Sequence, residues 1–498
     1  MLRKVLTVFL IFLITFSDIF AYKSGIDLSD VFAFKSSFDL SDVVRHKMNK
    51  LSPKIPRKNP FKPKDDDNKP LILTPYIQSG QIQKAKELSR VGRLPKAPNV
   101  TSYSGFFTVQ KVHNNNLFFW FFPAMNEDPK APIILWLQGG PGTTGLFGLF
   151  LEHGPFIIDS KLNVKMRPYS WSKSFHMIYI DSPVGTGFSF TTSKIGYCRN
   201  EDDVATDLYN FVQQFFTMFP EYKNNEFYIA GESYAGKYVP SLAYMIHTQG
   251  NAAKINLKGI AIGNGFCDPE TMLDYSPYLY QLGLIDRKQA NVMRNVSHSI
   301  KQLIHRKEYY EALVEMDQLV LQLHSLPYLS YFRNYTDFIF TYNYLETNWP
   351  KDYFHYVDYI SSPEFKKAVH VGNITFSDGT VAQEHLLLDI MQSVKPKVAV
   401  LMDNYRVLFY SGQLDVVVPY PLTMDFLYSV EWKNATAYKD VERQIWKIDG
   451  TEEVAGYVHN VGDFYEVLVR NAGHVAPYDQ PRAALDLITR FIMKKSYA

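Results

Sequence analysis

A serine flanked by small residues lies where a predicted strand meets a predicted helix. The apolar residues 227–230 (FYIA) indicate a buried strand, Gly231-x-Ser233-x-Ala235 follows, and a helix is predicted from Tyr238. Small flanking residues permit a sharp turn that lifts the serine hydroxyl above the end of a sheet. The G-x-S-x-A pattern alone occurs in loops of many chains, so the adjoining strand and helix carry the inference. The sequence therefore predicts that Ser233 is a nucleophile.

A base and an acid are predicted at the ends of two later strands. A serine hydroxyl needs a histidine to accept its proton, and a carboxylate to orient that histidine. Asp415 follows the predicted strand 407–410, and His474 follows the predicted strand 465–469, between a glycine and a short loop. Asp463 is a competing acid, but it precedes its strand and so belongs to the opposite edge of the sheet. We predict a triad of Ser233, His474 and Asp415.

Two backbone N–H groups are needed to stabilise the oxyanion of such a reaction. Tyr234, directly after the nucleophile, offers the first. The glycine-rich loop 138–142 follows the predicted strand 132–137 and offers the second. A GGPG sequence can be a simple turn, but its position after a buried strand favours the donor role.

The elements that position these residues alternate along the chain. Short apolar runs predict buried strands at 132–137, 177–180, 227–230, 259–262, 407–410 and 465–469. An amphipathic helix is predicted between the second and third, because apolar residues recur at helical spacing from Val204 to Phe216. Such alternation indicates a mostly parallel sheet with helices on both faces. The chain order of serine, acid and histidine is that of the α/β-hydrolase fold.

One segment departs from this alternation of strands and helices. Residues of about 268–358 are helical in pattern and then rich in tyrosine, which predicts an inserted, mainly helical cap. Beyond it, Ser362 and Pro363 are predicted to cap and begin a helix.

Five blocks of sequence resemble the serine carboxypeptidases, and they occur in the order of that family. They are WLQGGPG (136–142), DSPVGTGFSF (181–190), GESYAGKYVP (231–240), SGQLDVVVP (411–419) and RNAGHVAPYDQP (470–481). The resemblance extends over about 75–498 and is greatest to the vitellogenic-like members. It implies a serine-type exopeptidase that releases C-terminal residues from peptides or proteins through an acyl-enzyme, with no metal or organic cofactor.

The resemblance also assigns roles to residues. It implies the triad above, oxyanion donors at Gly140 and Tyr234, and a site for the substrate's C-terminal carboxylate formed by Gln138, Gly139, Glu152 and Glu232.

The chain departs from the common family pattern at three positions. Gln138 stands where asparagine is usual, so its amide must reach the carboxylate from one methylene further away. Thr143 stands where a cysteine usually ties this loop to the cap, so packing must hold the cap. Gln413 replaces an aspartate near the acid and leaves Asp415 intact.

The glutamate pair predicts a pH dependence. Two ionised carboxylates facing an anionic substrate would repel it, whereas close carboxyls share a proton because both cannot ionise cheaply. A protonated carboxyl of Glu152 or Glu232 can donate a hydrogen bond to the substrate. We therefore expect an acidic pH optimum.

The N-terminal part of the chain differs in composition from the rest. The net charge is +2, and eight Lys or Arg without an acidic residue lie between Arg45 and Lys64, among several prolines. A basic stretch of this kind can bind nucleic acid or anionic lipid, but nothing else in the sequence supports nucleic acid. We predict that 22–70 is a disordered extension before a domain at 71–498.

Residues 1–21 are predicted to be a signal peptide. Arg3 and Lys4 precede an apolar run at 5–16, and Ala21 suits cleavage. That run is too short for a spanning helix, and no membrane anchor is predicted. The expected location is the secretory pathway, lysosomal or extracellular. N-glycosylation is expected at five sequons: Asn99, Asn295, Asn334, Asn373 and Asn434.

Some questions stay open at the level of sequence. Cys198 and Cys267 allow at most one disulfide, and pairing and free thiols are equally compatible with the sequence. The same scaffold also serves acyltransferases and esterases. A binding protein that has lost catalysis is disfavoured, because all three triad residue types and both oxyanion elements are present. Side-chain preference and oligomeric state are not predicted.

Overall fold

A ten-stranded mixed sheet forms the centre of the computed structural model, which describes residues 68–321 and 329–497. The strands in that part of the chain are β1 (Tyr103–Gln110), β2 (Asn115–Phe122), β3 (Ile133–Leu137), β4 (Phe156–Ile158), β5 (Val164–Met166), β6 (His176–Ile180), β7 (Thr186–Gly187), β8 (Phe227–Glu232), β9 (Leu257–Gly263), β10 (Ser377–Asp378), β11 (Arg406–Gly412), β12 (Gln444–Lys447), β13 (Val454–Val461) and β14 (Phe464–Val469).

The strand order is β1-β2-β6-β3-β8-β9-β11-β14-β13-β12. The six central strands, β6, β3, β8, β9, β11 and β14, run parallel. Antiparallel strands flank them, β2 next to β6 and β13 next to β14. All six strands predicted from the sequence are confirmed as this parallel centre. Parallel strands are buried on both faces, which explains why they read as continuous apolar runs.

Helices cover both faces of the sheet. They are α1 (Thr74–Gln78), α2 (Ile82–Ser89), α3 (Gly145–Phe147), α4 (Glu201–Met218), α5 (Ala235–Gln249), α6 (Ser276–Gln281), α7 (Arg287–His305), α8 (Tyr309–Leu319), α9 (Tyr331–Thr336), α10 (His355–Ile360), α11 (Pro363–Ala368), α12 (Thr380–Ile390), α13 (Lys395–Asn404), α14 (Tyr420–Ser429), α15 (Ala435–Asp440), α16 (Ala476–Asp479) and α17 (Pro481–Met493).

Two hydrophobic cores lie on opposite faces of the sheet. Successive side chains of a strand alternate between faces. In β3, Leu135 therefore packs into one core with the apolar side of α4 and α5, whereas Trp136 packs into the other with α17. The predicted amphipathic helix is confirmed as α4, and Asn200 caps it by accepting a hydrogen bond from the Asp203 N–H at 2.8 Å. The predicted α/β-hydrolase architecture is confirmed.

Residues 264–405 lie between the sheet strands β9 and β11 and contain the predicted cap segment. α7 begins with a capping box formed by Asp286 and Gln289. The predicted helix start at Ser362 and Pro363 is confirmed in α11, where the Ser362 hydroxyl accepts a hydrogen bond from the Phe365 N–H. The bounds of a cap, 268–358, stay a prediction.

The predicted signal peptide and most of the predicted extension, residues 22–67, lie outside the described residues. The chain is described from Asn68, whose carbonyl accepts a hydrogen bond from the Asn373 N–H at 2.8 Å. Within 68–321 and 329–497, no helix has both the length and the apolar character that a membrane span requires.

Candidate active site

Ser233 lies in a strained turn between β8 and α5. Its φ is +60°, in the left-handed region of backbone conformation that residues other than glycine rarely adopt. Its N–H donates to the Gly263 carbonyl at 3.0 Å, and its carbonyl accepts from the Phe266 N–H at 2.9 Å. An added Cβ on Gly231 would lie 2.5 Å from the Leu137 carbonyl oxygen, so the turn requires a glycine there. The turn therefore fixes the Ser233 side chain at the carboxyl end of the sheet.

The predicted start of the following helix at Tyr238 is wrong. α5 begins at Ala235, and Pro240 lies inside it. Proline has no N–H, so the Gly236 carbonyl loses its helical donor. The Cys267 thiol donates to that carbonyl at 3.1 Å instead. Cys267 and Cys198 are both buried, free thiols, which answers the question of pairing for this structure.

Asp415 and His474 are in direct contact. The His474 Nδ1 and Asp415 Oδ2 atoms are 2.8 Å apart, and both side chains are buried. Asp415 also accepts hydrogen bonds from the Asn264 side chain at 2.7 Å and from the Val417 and Val418 N–H groups at 2.7 and 3.1 Å. An imidazole that donates its Nδ1 proton to Asp415 leaves the lone pair of Nε2 directed away from this contact.

His474 is held in place by its backbone and by an aromatic ring. Its N–H donates to the Tyr342 carbonyl at 2.6 Å, and the two rings lie 4.7 Å apart. Its Nε2 is buried and has no protein partner within the described part of the chain. Ser233, Asp415 and His474 thus follow β8, β11 and β14 at one edge of the sheet. The competing acid, Asp463, lies at the other edge in an ion pair with Arg406.

The glycine-rich loop after β3 packs directly against the serine turn. An added Cβ on Gly139 would lie 2.6 Å from the Tyr234 nitrogen and 2.7 Å from the Ser233 Cβ. Gly140 has a φ of +111°, which glycine adopts at little cost. The loop and the Tyr234 N–H therefore converge beside Ser233.

The loop also contacts the segment before α12 through two glycines. An added Cβ on Gly142 would lie 2.6 Å from the Gly379 carbonyl oxygen. The Thr143 N–H donates to the Gly139 carbonyl at 3.0 Å. Backbone packing thus joins these two segments.

Glu152 and Glu232 form a buried carboxyl pair beside the same loop. Glu152 ends a π-helical turn (Gly148–Glu152) and is 0% exposed, and Glu232 is 2% exposed. The Gln138 side chain donates to Glu232 Oε1 at 2.8 Å, and its own oxygen accepts from the Trp136 indole at 2.7 Å. The indole fixes the orientation of the glutamine side chain, which is one methylene longer than that of asparagine, so that its amide reaches the glutamate pair.

The environment raises the pKa of both carboxyls. Burial raises the pKa of Glu152 to about 8, and the neighbouring Glu232 carboxyl opposes part of this increase. Burial, followed by repulsion from Glu152, raises the pKa of Glu232 well above its usual range. Since two buried carboxylates in contact cannot both ionise cheaply, the pair holds at least one proton in mildly acid solution.

Sequence reasoning missed Asn264 as a partner of Asp415. Asn264 follows β9, the strand between β8 and β11, and its side-chain oxygen also accepts from the Gly412 N–H at 3.1 Å. A polar residue directly after a buried strand was the available signal.

The fold and this arrangement of side chains define an α/β-hydrolase with a serine at its strand–helix turn. Residues 93–494 match the family model described as serine carboxypeptidase, and the chain belongs to that family. It is accordingly a serine-type carboxypeptidase, a hydrolase of peptides.

Relatives and a solved structure agree with this family. The chain is 49% identical to "Probable serine carboxypeptidase CPVL" of Homo sapiens over 87% of its own length and 92% of that protein. It is 45% identical to "Vitellogenic carboxypeptidase" of Aedes aegypti over 86% of its length and 91% of that protein. The crystal structure of Kex1(delta)p, a prohormone-processing carboxypeptidase from Saccharomyces cerevisiae, matches with a TM-score of 0.73 at 24% identity, covering 82% of this chain and 96% of that one, and supports the fold.

Proposed function

We propose that this carboxypeptidase acts through an acyl-enzyme on Ser233, with His474 as the base and Asp415 as its orienting acid. The observation that carries the proposal is the buried hydrogen bond between Asp415 and His474. In the described part of the chain, Nε2 has no partner, and it lies at the same edge of the sheet as the serine turn. Nε2 accepts the hydroxyl proton as Oγ attacks the carbonyl carbon of the last peptide bond.

The oxyanion formed by this attack accepts hydrogen bonds from the N–H groups of Gly140 and Tyr234. As the intermediate collapses, His474 returns the proton to the leaving amine and the C-terminal amino acid departs. Water, deprotonated by the same nitrogen, then releases the acyl group from Ser233.

Restriction to the last residue requires recognition of the free carboxylate. Gln138, Gly139, Glu152 and Glu232 form that site in our proposal. The second N–H of the Gln138 amide and the proton of the glutamate pair are the donors, and Gly139 contributes its backbone. A substrate carboxylate thus supplies a hydrogen-bond partner to Glu152 and to Glu232 Oε2, which have none among the described residues.

The pH dependence should differ between peptides and substrates without a carboxylate. The raised pKa of Glu152, about 8, means that the pair keeps its proton in acid and loses it as the pH rises toward that value. KM for a blocked dipeptide should therefore rise with pH, whereas KM for the matching amide or ester should stay flat. His474 must be neutral to act as base, so kcat/KM for peptides should be greatest in mildly acid solution. Steady-state kinetics over pH 4–8 measure both.

Glu232→Gln is the matched control, because it keeps a hydrogen-bond donor without a titrating proton. Its peptide KM should depend less on pH than that of the parent enzyme. Coinciding peptide and ester profiles in the parent enzyme would remove the carboxyl pair as the recognition element.

We further propose that the protein enters the secretory pathway, to a lysosomal or extracellular location, after removal of residues 1–21, with 22–70 as an extension to the catalytic domain 71–498. In support, Asn99, Asn295, Asn334 and Asn373 are exposed, and Asn434 is half-buried. Expressed in a eukaryotic secretory host, the protein should begin near Tyr22 and carry N-glycans at the exposed sequons. Peptide mass mapping before and after enzymatic deglycosylation tests this. Unmodified asparagines at all four positions would contradict it.

A further inference from the structure

Arg167 is a buried cation beside the turn that carries Glu152. It follows β5 and is 7% exposed. Its Nε donates to the Gly154 carbonyl at 3.0 Å, and its Nη2 donates to the carbonyls of Phe150 and Phe156 at 2.5 and 3.0 Å. These carbonyls lie on both sides of Glu152 along the chain, so the guanidinium fixes the backbone on which Glu152 is carried.

The charge of Arg167 is not balanced by an adjacent carboxylate. In the described residues it makes no ion pair, although removing an unpaired charge from water costs several kcal/mol. The comparably buried Arg490 differs, because Asp449 and Asp486 each lie 2.6 Å from its guanidinium. Burial lowers the pKa of Arg167 to about 10, and attraction to Tyr179 and Glu152 opposes this decrease. Arg167 therefore stays charged at pH 4–8.

Among the described residues, the other titratable groups around the glutamate pair offer no fixed positive charge. Burial raises the pKa values of the neighbouring phenols and lowers that of the imidazole next in sequence, so burial disfavours the charged form of each of these groups; they are Tyr179, Tyr342, Tyr410 and His153. The triad contributes Asp415, whose negative charge raises the pKa of Glu232, and His474, which is neutral when it acts as base.

We propose that Arg167 is a positioning residue for recognition of the substrate's C-terminal carboxylate: it fixes the turn bearing Glu152, and its charge offsets the one that the substrate brings to the glutamate pair. This inference rests on the proposed role of Glu152 and Glu232. Arg167 itself contacts carbonyls of the protein, and it acts through the pair.

Arg167→Gln and Arg167→Lys separate the charge from the hydrogen bonds. Glutamine keeps an amide donor but no charge, so KM for a blocked dipeptide at about pH 5 should rise about tenfold while kcat stays within about twofold. Loss of a nearby positive charge also raises a carboxyl pKa. The rise of peptide KM with pH should therefore move about half a pH unit or more to higher pH. In Arg167→Lys, which keeps the charge, that rise should stay within about 0.2 pH unit of the parent enzyme.

KM for the ester of the same dipeptide separates loss of carboxylate recognition from a general structural defect, because a structural defect would change KM for both substrates. The ester KM should be unchanged in both variants. Arg490→Met is the matched control for loss of a buried guanidinium: it should lower the melting temperature and leave the pH dependence of peptide KM unchanged. Combining Arg167→Gln with Glu152→Gln should reduce the shift, because Glu152, the carboxyl whose pKa Arg167 lowers, is then gone.

A peptide KM whose pH dependence is unmoved in Arg167→Gln, or equal losses on peptide and ester, would overturn the proposal. Should Arg167→Gln not fold, a shift of half a unit in the charge-retaining Arg167→Lys would overturn it as well. These results differ from failure of the proposed carboxylate site itself. In that case, peptide and ester profiles already coincide in the parent enzyme.

Discussion

Replacing Ser233 with alanine should lower kcat for a blocked dipeptide by about 10⁶, the usual cost of losing a triad nucleophile. The substitution removes only Oγ, to which the acyl group is bound in the proposed mechanism. Alanine keeps the Cβ, so the left-handed backbone at this position, with its φ of +60°, carries the same strain in both proteins. The melting temperature and the yield of secreted protein should match those of the parent enzyme.

Ser241→Ala is a matched control for this change. Ser241 is buried in α5, the helix that follows Ser233, and its hydroxyl accepts a weak hydrogen bond from Lys397 at 3.3 Å. Its kcat should stay within about twofold of the parent value, since no reacting atom is removed. Substantial turnover by Ser233→Ala, measured with protein free of contaminating peptidase, would place the nucleophile elsewhere.

Replacing Asp415 with asparagine should lower kcat by about 10⁴, the loss seen when a triad histidine is held in the wrong tautomer. The carboxylate accepts from His474, Asn264 and two backbone N–H groups. In either orientation, the asparagine NH₂ group faces some of these donors. When it faces His474, it donates to Nδ1, and the imidazole proton is then on Nε2. The loss should appear in kcat for peptides and esters alike, because the base serves both.

Asp463→Asn provides the control for removing an acidic side chain near a late strand. Asp463 is 65% exposed and pairs with Arg406 at the opposite edge of the sheet. Exposed ion pairs contribute about 0–1 kcal/mol, so stability should change little and kcat should be unchanged. If the two aspartate variants lose equal activity, Asp415 is not the acid that orients His474.

Local patterns in the sequence predicted the parts of the fold that local chemistry determines. The parallel strands are continuous apolar runs because both of their faces are buried, and α4 has apolar residues at helical spacing because one side packs on the sheet. The flanking strands β1, β2, β12 and β13 were not predicted. The N-terminal residues of α5 were missed as well, since the helix was predicted from Tyr238. The helix extends over Pro240 because a thiol distant in sequence satisfies the carbonyl that the proline leaves without a donor.

Contacts between distant segments explain the rest of what the sequence did not reveal. The Asn264 amide meets Asp415 across 151 positions, and only the strand order brings them together. The role proposed for Arg167 could not be predicted from the sequence either, since its partners are backbone carbonyls, which every residue has. The roles proposed for Glu152 and Gln138 came from family resemblance, whereas their burial and the indole that directs Gln138 required the structure.

The central claim, an acyl-enzyme on Ser233, is tested most directly by mapping a covalent serine label. A fluorophosphonate reacts with the activated hydroxyl that attacks the peptide bond, and digestion followed by mass spectrometry identifies the modified residue. We predict one phosphonyl group per chain, on Ser233, with activity toward a blocked dipeptide lost in proportion to labelling. A label on another residue, or full peptidase activity after complete labelling, would contradict the mechanism.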